Sequence, residues 1–192
     1  MHLTQFPPLP EDYQERMPRY LEATSLVEVG SDSSGRPLHL TSATSDAWHS
    51  MHRAASQCGL NLILVSAFRS YAHQKQILQR KLNQGISWND ILSISAFPGF
   101  SEHHTGRAID IGSPDFLDLT EAFEHTPEFT WLCDRAESFG FHMSYPRENR
   151  YGIAYEPWHW TFRSKAEPTP TGKWLSLGGA IPNCHDATAQ NL

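Results

Sequence analysis

The sequence predicts a single α+β domain in which helices pack on a small, mostly antiparallel sheet. The chain has 192 residues, which is the usual length of one domain. Hydrophobic residues make up 39% and charged residues 19%, as in a globular chain rather than a disordered or membrane-spanning one. Helical and strand-like patterns follow one another in the order α-β-α, a short β, then α-β-β, without an internal repeat.

The first part of the chain is predicted to be an arm, followed by a helix and a strand. Residues 1–43 form an N-terminal arm and lead-in, because prolines cluster near its start and a helical pattern begins only after it. Between residues 44 and 58, apolar side chains recur at helical spacing, and Thr44 or Ser45 can cap the first turn. Residues 60–65 alternate and are rich in β-forming side chains, which predicts a strand.

The later elements follow the same rules. They are two helices, a short β segment, a longer helix and two strands, at residues 72–83, 87–92, 107–111, 129–139, 141–145 and 158–162. Residues 44–162 therefore hold the regular elements of one domain. Residues 163–192, rich in Pro, Gly, Ser and Thr, are predicted to be a C-terminal tail that packs on the domain or extends from it.

Charge and cysteine content argue against several classes of protein. The net charge of −6 and the absence of a Lys/Arg run argue against a nucleic-acid partner. Cys58, Cys133 and Cys184 lack CxxC spacing and do not predict a disulfide framework, and the first two are expected to be small core side chains. We expect a monomer without a membrane-spanning segment. The N-terminus has neither the basic start nor the apolar run of a signal peptide, which favours the cytoplasm, and a periplasmic or cell-surface location is the alternative if a leader has been removed.

Two segments carry residue types that suit a metal site. In residues 101–110, a histidine, His103 or His104, precedes Asp110, which lies between two isoleucines and would be costly to bury there without a partner or a metal. In residues 156–160, Glu156 precedes His159 by three positions, and His159 lies between two tryptophans. Two imidazoles, one carboxylate ligand and a spare carboxylate are the components of a catalytic zinc site with an open position for water.

Each of these residues also has a simpler interpretation. His103 or His104 can be a loop or capping residue, Asp110 a satisfied turn carboxylate, and His159 a core histidine. Trp158 and Trp160 either wall the site or pack in the core. Spacing alone leaves a metal site and these alternatives open.

Three ordered blocks resemble the D-alanyl-D-alanine carboxypeptidase family, which includes vancomycin-resistance-type D,D-carboxypeptidases and related L,D-carboxypeptidases. The blocks are Ser66-Ala67-Phe68-Arg69-Ser70-Tyr71 with Gln74, Pro98-Gly99-Phe100-Ser101-Glu102-His103 through Gly106, Ala108 and Asp110, and Glu156-Pro157-Trp158-His159. The resemblance covers about residues 44–162, so this segment is expected to be the catalytic domain. Phe100 and the pair Thr161-Phe162 depart from the common pattern.

The resemblance implies a role for each matched residue. His103, Asp110 and His159 become the ligands of one zinc ion per chain, and Glu156 becomes the general base and acid. His104 stands where glutamine is common and is not expected to be a ligand. The remaining matches are expected to face the substrate: Arg69, at its carbonyl or carboxylate, and the pocket-lining residues Gln74, Ser101 and Tyr145.

The implied function is hydrolysis of the bond to a C-terminal D-alanine in peptidoglycan-derived peptides. We narrowly favour an L,D-carboxypeptidase acting on tetrapeptides, because a cytoplasmic enzyme would meet recycled fragments rather than intact wall. The alternatives within the family are a D,D-carboxypeptidase and a D,D-dipeptidase. Outside these activities, a non-catalytic wall-peptide binding module and an endopeptidase lysin are less compatible with a complete ligand set and a short tail.

Overall fold

The computed structural model describes residues 6–164. It confirms the predicted class, a mixture of helices and antiparallel strands. The α-helices are α1 Tyr13–Arg16, α2 Ser42–Gln57, α3 Tyr71–Asn83, α4 Trp88–Ile94 and α5 Pro127–Arg135. The strands are β1 Val27–Ser31, β2 Pro37–Leu40, β3 Ile63–Ser66, β4 Ala108–Gly112, β5 Phe141–Met143 and β6 His159–Phe162. Short 3-10 helices cover Glu102–Thr105, Glu121–His125 and Ala136–Phe139.

The predicted helices and strands are present with shifted ends, and the helix predicted at residues 129–139 is divided into α5 and the 3-10 helix Ala136–Phe139. Helix α2 begins earlier than predicted, because the side chain of Thr41, rather than Thr44 or Ser45, caps it by accepting a hydrogen bond from Thr44 N. Ser87 caps α4 as predicted. Cys58 is exposed at the C-cap of α2, so its predicted place in the core is wrong.

A hairpin inside the predicted arm was not expected. Strands β1 and β2 pair antiparallel and form a separate two-stranded sheet. Asp32 holds the turn between them, because its carboxylate accepts hydrogen bonds from Ser34 N at 2.8 Å and Arg36 N at 3.0 Å. The predicted tail lies outside the described residues, apart from its first two positions. Within residues 6–164, no helix is both long and apolar enough to cross a bilayer.

The main sheet has the strand order β3-β4-β6-β5, and every neighbouring pair is antiparallel. Side chains alternate between its two faces. The helix face carries the apolar side chains, which pack with residues of α2 and α5 in one core: Ile109, Ile111, Phe141 and Trp160, together with Trp48, Met51, Ala55, Phe129 and Leu132. The opposite face, here called the site face, carries the polar side chains Asp110, His159 and Thr161. Asp110 thus lies between two isoleucines in sequence but on the other side of the sheet.

A second apolar cluster lies away from the helix face and joins four parts of the chain. It contains residues of α1 and the segment after it, of α4, of the loop before the 3-10 helix Glu102–Thr105, and of the loop before β6: Tyr13, Met17, Leu92, Ala96, Phe100, Tyr145 and Ile153. The ring centroids of Tyr145 and His159 are 4.8 Å apart. The second cluster therefore reaches the polar face of the sheet.

Gly106 ends the 3-10 helix that carries the predicted ligand His103. Its φ of 64° is in the left-handed region, and a Cβ there would lie 2.7 Å from Leu26 Cδ2 and 3.3 Å from the backbone N of Thr41. Gly85, after α3, also has a positive φ of 81°, but a Cβ there would meet nothing within 4 Å. Alanine substitutions at these two positions therefore distinguish the cost of backbone strain, present at both, from the cost of steric clash, present only at Gly106.

We expect Gly106→Ala to lower the free energy of unfolding by about 2–5 kcal/mol, the sum of left-handed strain and overpacking. Gly85→Ala is expected to cost about 1–2 kcal/mol, because only the strain remains. Urea unfolding of both variants and the wild type measures these differences. Equal costs at the two positions would show that the space around Gly106 is not restrictive.

Candidate metal centre and active site

The register of the main sheet places two predicted ligands side by side. Asp110 on β4 is the direct antiparallel partner of His159 on β6. The two residues are 3% and 2% exposed, and Asp110 Oδ1 lies 2.9 Å from His159 Nδ1. Residues 49 positions apart in the chain are therefore neighbours on the buried site face because of strand pairing.

His103 reaches the same point from the 3-10 helix Glu102–Thr105. Its Nδ1–H donates to the carbonyl oxygen of Ala67 at 2.6 Å, so Nε2 carries the lone pair. That Nε2 lies 3.2 Å from Asp110 Oδ2, yet it is buried and makes no hydrogen bond. A buried nitrogen lone pair without a donor is costly, and a metal ion at this point would satisfy it.

The three side chains form a group that can hold a metal ion. One ligand atom from each of His103, Asp110 and His159 lies within 4.8 Å of the others, and all three residues are buried. For His159 the available atom is Nδ1, because Nε2 is engaged on the other side of the ring by Glu102. Two imidazole nitrogens and a carboxylate oxygen suit zinc with an open position.

The electrostatics of the group favour neutral His103 and a cation near His159. Burial lowers the pKa of His103 to about 4, and the charge of Arg69 adds to this effect, so the ring is neutral at pH 7. Burial also opposes charge on His159, but the hydrogen bonds that charged His159 donates to Asp110 and Glu102 outweigh burial and raise the pKa of His159 to about 10. Burial opposes charge on Asp110 as well, but positive charge on the neighbouring imidazoles, carried at pH 7 by His159, holds the pKa of Asp110 well below its usual value. The carboxylates therefore favour positive charge between them, as a proton or as a metal ion.

Glu156 lies next to the ligand group without being part of it. Its Oε2 is 3.8 Å from His159 Nδ1, and its side chain is 14% exposed. The loop before β6 holds it in place, since Glu156 N donates to Tyr145 O at 3.0 Å and His159 N donates to Glu156 O at 3.1 Å. Burial raises its pKa to about 7, although His159 counteracts the shift. A carboxylate with this pKa can both take and return a proton near neutrality.

Arg69 and Gln74 lie together beside Asp110. Arg69 donates through Nη1 to Gln74 Oε1 at 3.3 Å, and its Nη2 is 3.5 Å from Asp110 Oδ2. Gln74 is buried and donates to the carbonyl oxygen of Ala96 at 2.7 Å, which fixes the acceptor that it offers to Arg69. The Nε of Arg69 is buried and makes no hydrogen bond. The guanidinium is thus held near the ligand group, and its Nε–H is a donor without an acceptor.

The other pocket residues predicted from the resemblance lie around the same point. Tyr145 is buried, and its ring contacts that of His159. Ser101 is buried directly before the helix of His103 and accepts a backbone hydrogen bond from His104 N. Trp160, by contrast, lies on the helix face and packs in the core, so it does not wall the site.

Both ring nitrogens of His104 are engaged by backbone groups, which supports its predicted exclusion from the ligands. Its Nδ1–H donates to the carbonyl oxygen of Arg69 at 2.5 Å, and its Nε2 accepts from Gly99 N at 3.1 Å. It therefore holds the segments that carry Arg69 and the loop before His103. A glutamine also offers one donor and one acceptor, so it can make the same two bonds.

Glu102 is a residue whose place at the site was not predicted. It is 4% exposed and accepts hydrogen bonds from His159 Nε2 at 3.0 Å, Thr161 Oγ1 at 2.6 Å and Tyr20 OH at 3.2 Å. Burial opposes its charge, but the hydrogen bond and the charge of His159, together with the hydroxyls of Ser144 and Thr161, lower the pKa of Glu102 to about 2. Its place beside His103 in the second motif block was the signal in the sequence, whereas its pairing with His159 depends on the fold.

Comparison with known proteins gives the family. The family model described as VanY: D-alanyl-D-alanine carboxypeptidase matches residues 37–165. This chain belongs to that family. The resemblance stated from the three motif blocks is therefore confirmed. The residues described in this subsection, except Tyr20, lie within the matched VanY segment.

Relatives of the VanY family agree with this assignment. The putative carboxypeptidase YodJ of Bacillus subtilis (strain 168) is 33% identical over 150 residues, which cover 72% of this chain and 52% of the relative. This chain thus spans about half the length of that curated protein. The solved LdcB LD-carboxypeptidase is 33% identical, with a TM-score of 0.66 over 76% of this chain and 71% of its own.

A further solved structure bears on the metal. A mutant of the vancomycin-resistance D,D-pentapeptidase VanY, solved in complex with Zn(II), is 25% identical. Its TM-score is 0.57, over 74% of this chain and 82% of its own. This VanY structure contains zinc, and the described residues of our chain include a His-Asp-His group able to hold a metal ion. Both findings agree with the predicted cofactor.

Proposed function

We propose that this protein is a zinc metallocarboxypeptidase that hydrolyses the bond to a C-terminal D-alanine in peptidoglycan-derived peptides. The observation that carries the proposal is the convergence of His103, Asp110 and His159 on one point, with the unligated carboxylate of Glu156 3.8 Å from His159. Residues 44–162 form the catalytic domain in this proposal. Because all of these residues come from one chain, a monomer is sufficient.

The proposed ligands are His103 Nε2, an oxygen of Asp110 and His159 Nδ1. A zinc ion held there would act as a Lewis acid on the scissile carbonyl and would make water a stronger acid. Glu156 would take a proton from the attacking water and then deliver it to the amine nitrogen as the carbon–nitrogen bond breaks. The products are the shortened peptide, which keeps the new carboxylate, and free D-alanine.

Arg69 is the proposed group for the substrate's negative charge. Its guanidinium is held by Gln74 and Asp110 at the edge of the ligand group, so its position is set before substrate binds. It can donate to the terminal carboxylate or to the developing oxyanion, and such donors commonly contribute about 10²–10³ in rate. Gln74, Ser101 and Tyr145 are proposed to line the pocket. Arg147 is less suited, because Glu124 and Glu121 already bind it.

We propose tetrapeptides as the preferred substrate, which makes the enzyme an L,D-carboxypeptidase. Support comes from similarity, because the solved LD-carboxypeptidase is 33% identical to this chain and the solved D,D-pentapeptidase 25%. A non-catalytic peptide-binding module is the main alternative of another class. The retained Glu156 beside a complete ligand set supports the enzyme, since binding alone does not require a proton carrier.

The test is incubation of the zinc-loaded protein with muropeptides whose stems end at position three, four or five, followed by mass spectrometry. We expect the tetrapeptide to lose one alanine with a higher kcat/KM than the pentapeptide and the tripeptide to remain intact. A tetrapeptide ending in L-alanine is the stereochemical control and should also remain intact. Faster cleavage of the pentapeptide would make the protein a D,D-carboxypeptidase, and no release of alanine from any stem would overturn the proposed reaction.

A further inference from the structure

Residues 6–26 are the part of the predicted arm that precedes β1, and they alone are called the N-terminal arm from this point. They form hydrogen bonds with two segments beside the candidate metal centre. They lie outside the segment matched by the family model. Tyr20 N donates to Gly99 O at 2.8 Å, and Ala23 N donates to His104 O at 2.7 Å. Tyr71 OH, at the start of α3, donates to Tyr20 O at 2.6 Å. Residues 20–23 are thus fixed against the loop and helix that carry His103.

From this position the arm contributes one side chain to the buried network behind His159. Tyr20 OH donates to Glu102 Oε1 at 3.2 Å. The other carboxylate oxygen, Oε2, faces His159 Nε2 at 3.0 Å and Thr161 Oγ1 at 2.6 Å. Ser144 Oγ donates in turn to Thr161 Oγ1 at 3.1 Å. Donors thus hold both oxygens of Glu102, and its carboxylate cannot rotate without breaking these bonds.

The orientation of Glu102 matters because it decides which nitrogen of His159 carries the proton. If Nδ1 is to bind a metal ion, its lone pair must be free and the proton must be on Nε2. Glu102 accepts the hydrogen bond that His159 Nε2–H donates. Asp110 Oδ1 lies 2.9 Å from Nδ1 and is a competing acceptor, which would hold the proton on the wrong nitrogen if Glu102 were absent. Glu102 therefore favours the tautomer that can bind metal.

We propose that Glu102 and, through it, Tyr20 of the N-terminal arm are positioning residues for the metal ligand His159. Neither residue touches the metal position or the reacting atoms. Glu102 holds the imidazole in the binding tautomer and orientation, and Tyr20 holds Glu102. Carboxylates behind metal-bound histidines commonly change metal affinity by about 10- to 100-fold. The proposal rests on the proposed function only in taking His159 as a zinc ligand.

The test measures zinc affinity by competition with a chromophoric chelator, in the absence of peptide substrate. We expect Glu102→Ala to weaken zinc binding by about 10- to 100-fold. Tyr20→Phe removes a single hydroxyl and should weaken it by roughly two- to tenfold, the effect of one hydrogen bond. Glu102→Gln keeps an acceptor for His159 and is expected to recover much of the affinity lost in Glu102→Ala.

Tyr13→Phe is the matched control. Tyr13 is a buried tyrosine of the same arm, and its hydroxyl accepts a hydrogen bond from Phe97 N at 2.8 Å, away from Glu102. We expect this variant to lose a similar amount of thermal stability to Tyr20→Phe and to keep wild-type zinc affinity. Thermal unfolding of every variant identifies any that does not fold, and Tyr20→Phe then still tests the proposal because it removes only one hydroxyl.

The outcomes separate this proposal from the proposed reaction. Wild-type zinc affinity in folded Glu102→Ala and Tyr20→Phe, or an equal loss in Tyr13→Phe, would overturn the positioning role. A wild-type protein that binds no zinc would overturn both proposals. A protein that binds zinc with the expected order of variants but releases no D-alanine would support the positioning role and refute the reaction.

Discussion

Glu156→Gln is expected to abolish D-alanine release while zinc binding and folding remain normal. The carboxylate lies 3.8 Å from His159 Nδ1 but is not needed to complete the ligand group. The amide has nearly the same shape but cannot carry a proton from water to the leaving amine. Loss of general acid–base catalysis typically costs about 10²–10⁴ in rate. The measurement is kcat for D-alanine release from the preferred stem peptide, with zinc content determined on the same sample.

Two further variants make this result specific. Glu156→Ala should be as inactive as Glu156→Gln, because the missing property is proton transfer and not side-chain volume. Glu137→Gln is the control, since Glu137 is exposed in the 3-10 helix Ala136–Phe139, which packs on the helix face of the sheet. It should retain wild-type activity. Near-normal turnover in either Glu156 variant would show that another group is the base.

His103→Gln is expected to lose bound zinc, whereas His104→Gln is expected to keep it. The two residues are adjacent and buried, and the substitution is the same. His103 offers an Nε2 without a hydrogen-bond partner beside Asp110, while both nitrogens of His104 are engaged by backbone groups. A glutamine at position 104 can replace those bonds, but one at position 103 does not replace an imidazole in a three-ligand zinc site.

Zinc per chain after gel filtration, measured by atomic emission, checks this prediction. His159→Gln should behave like His103→Gln, since Nδ1 of His159 is the proposed ligand atom. We also expect chelation of wild-type protein to lower its thermal unfolding temperature, because a ligand that binds only the native state stabilises it by about 2.7 kcal/mol at 100 times its Kd. Stoichiometric zinc in purified His103→Gln or His159→Gln would remove that residue from the ligand set.

Parts of the fold with a strong local pattern were predictable. Helices α2 and α3 have apolar side chains at helical spacing and polar caps, and β4 is a short apolar run. The β1–β2 hairpin was missed, because β1 is largely exposed and shows no alternation between buried and exposed residues. The cap of α2 was misplaced because several neighbouring hydroxyls, at positions 41, 42, 44 and 45, could each have served.

At the candidate site, too, some features were predictable from the sequence and others depended on the fold. The amino-acid order indicated which chemical groups could form the site, because the histidines, Asp110 and Glu156 lie in short motifs whose residue types suit zinc hydrolysis, and the resemblance to the family then implied a role for each. It also indicated that Asp110 needed a partner, since a carboxylate between two isoleucines is costly to bury alone. These conclusions depend on residue type and near neighbours, which are properties of the chain before it folds.

Folding decided how those groups meet. Antiparallel pairing of β4 with β6 makes Asp110 and His159 direct partners, and the alternation of side chains puts both on the face opposite the apolar core. Folding also places Glu102 behind His159 and places Tyr20 behind Glu102, although Tyr20 and Glu102 are 82 positions apart in sequence. No local pattern encodes these contacts, because they arise from strand register and from the path of the N-terminal arm across the domain.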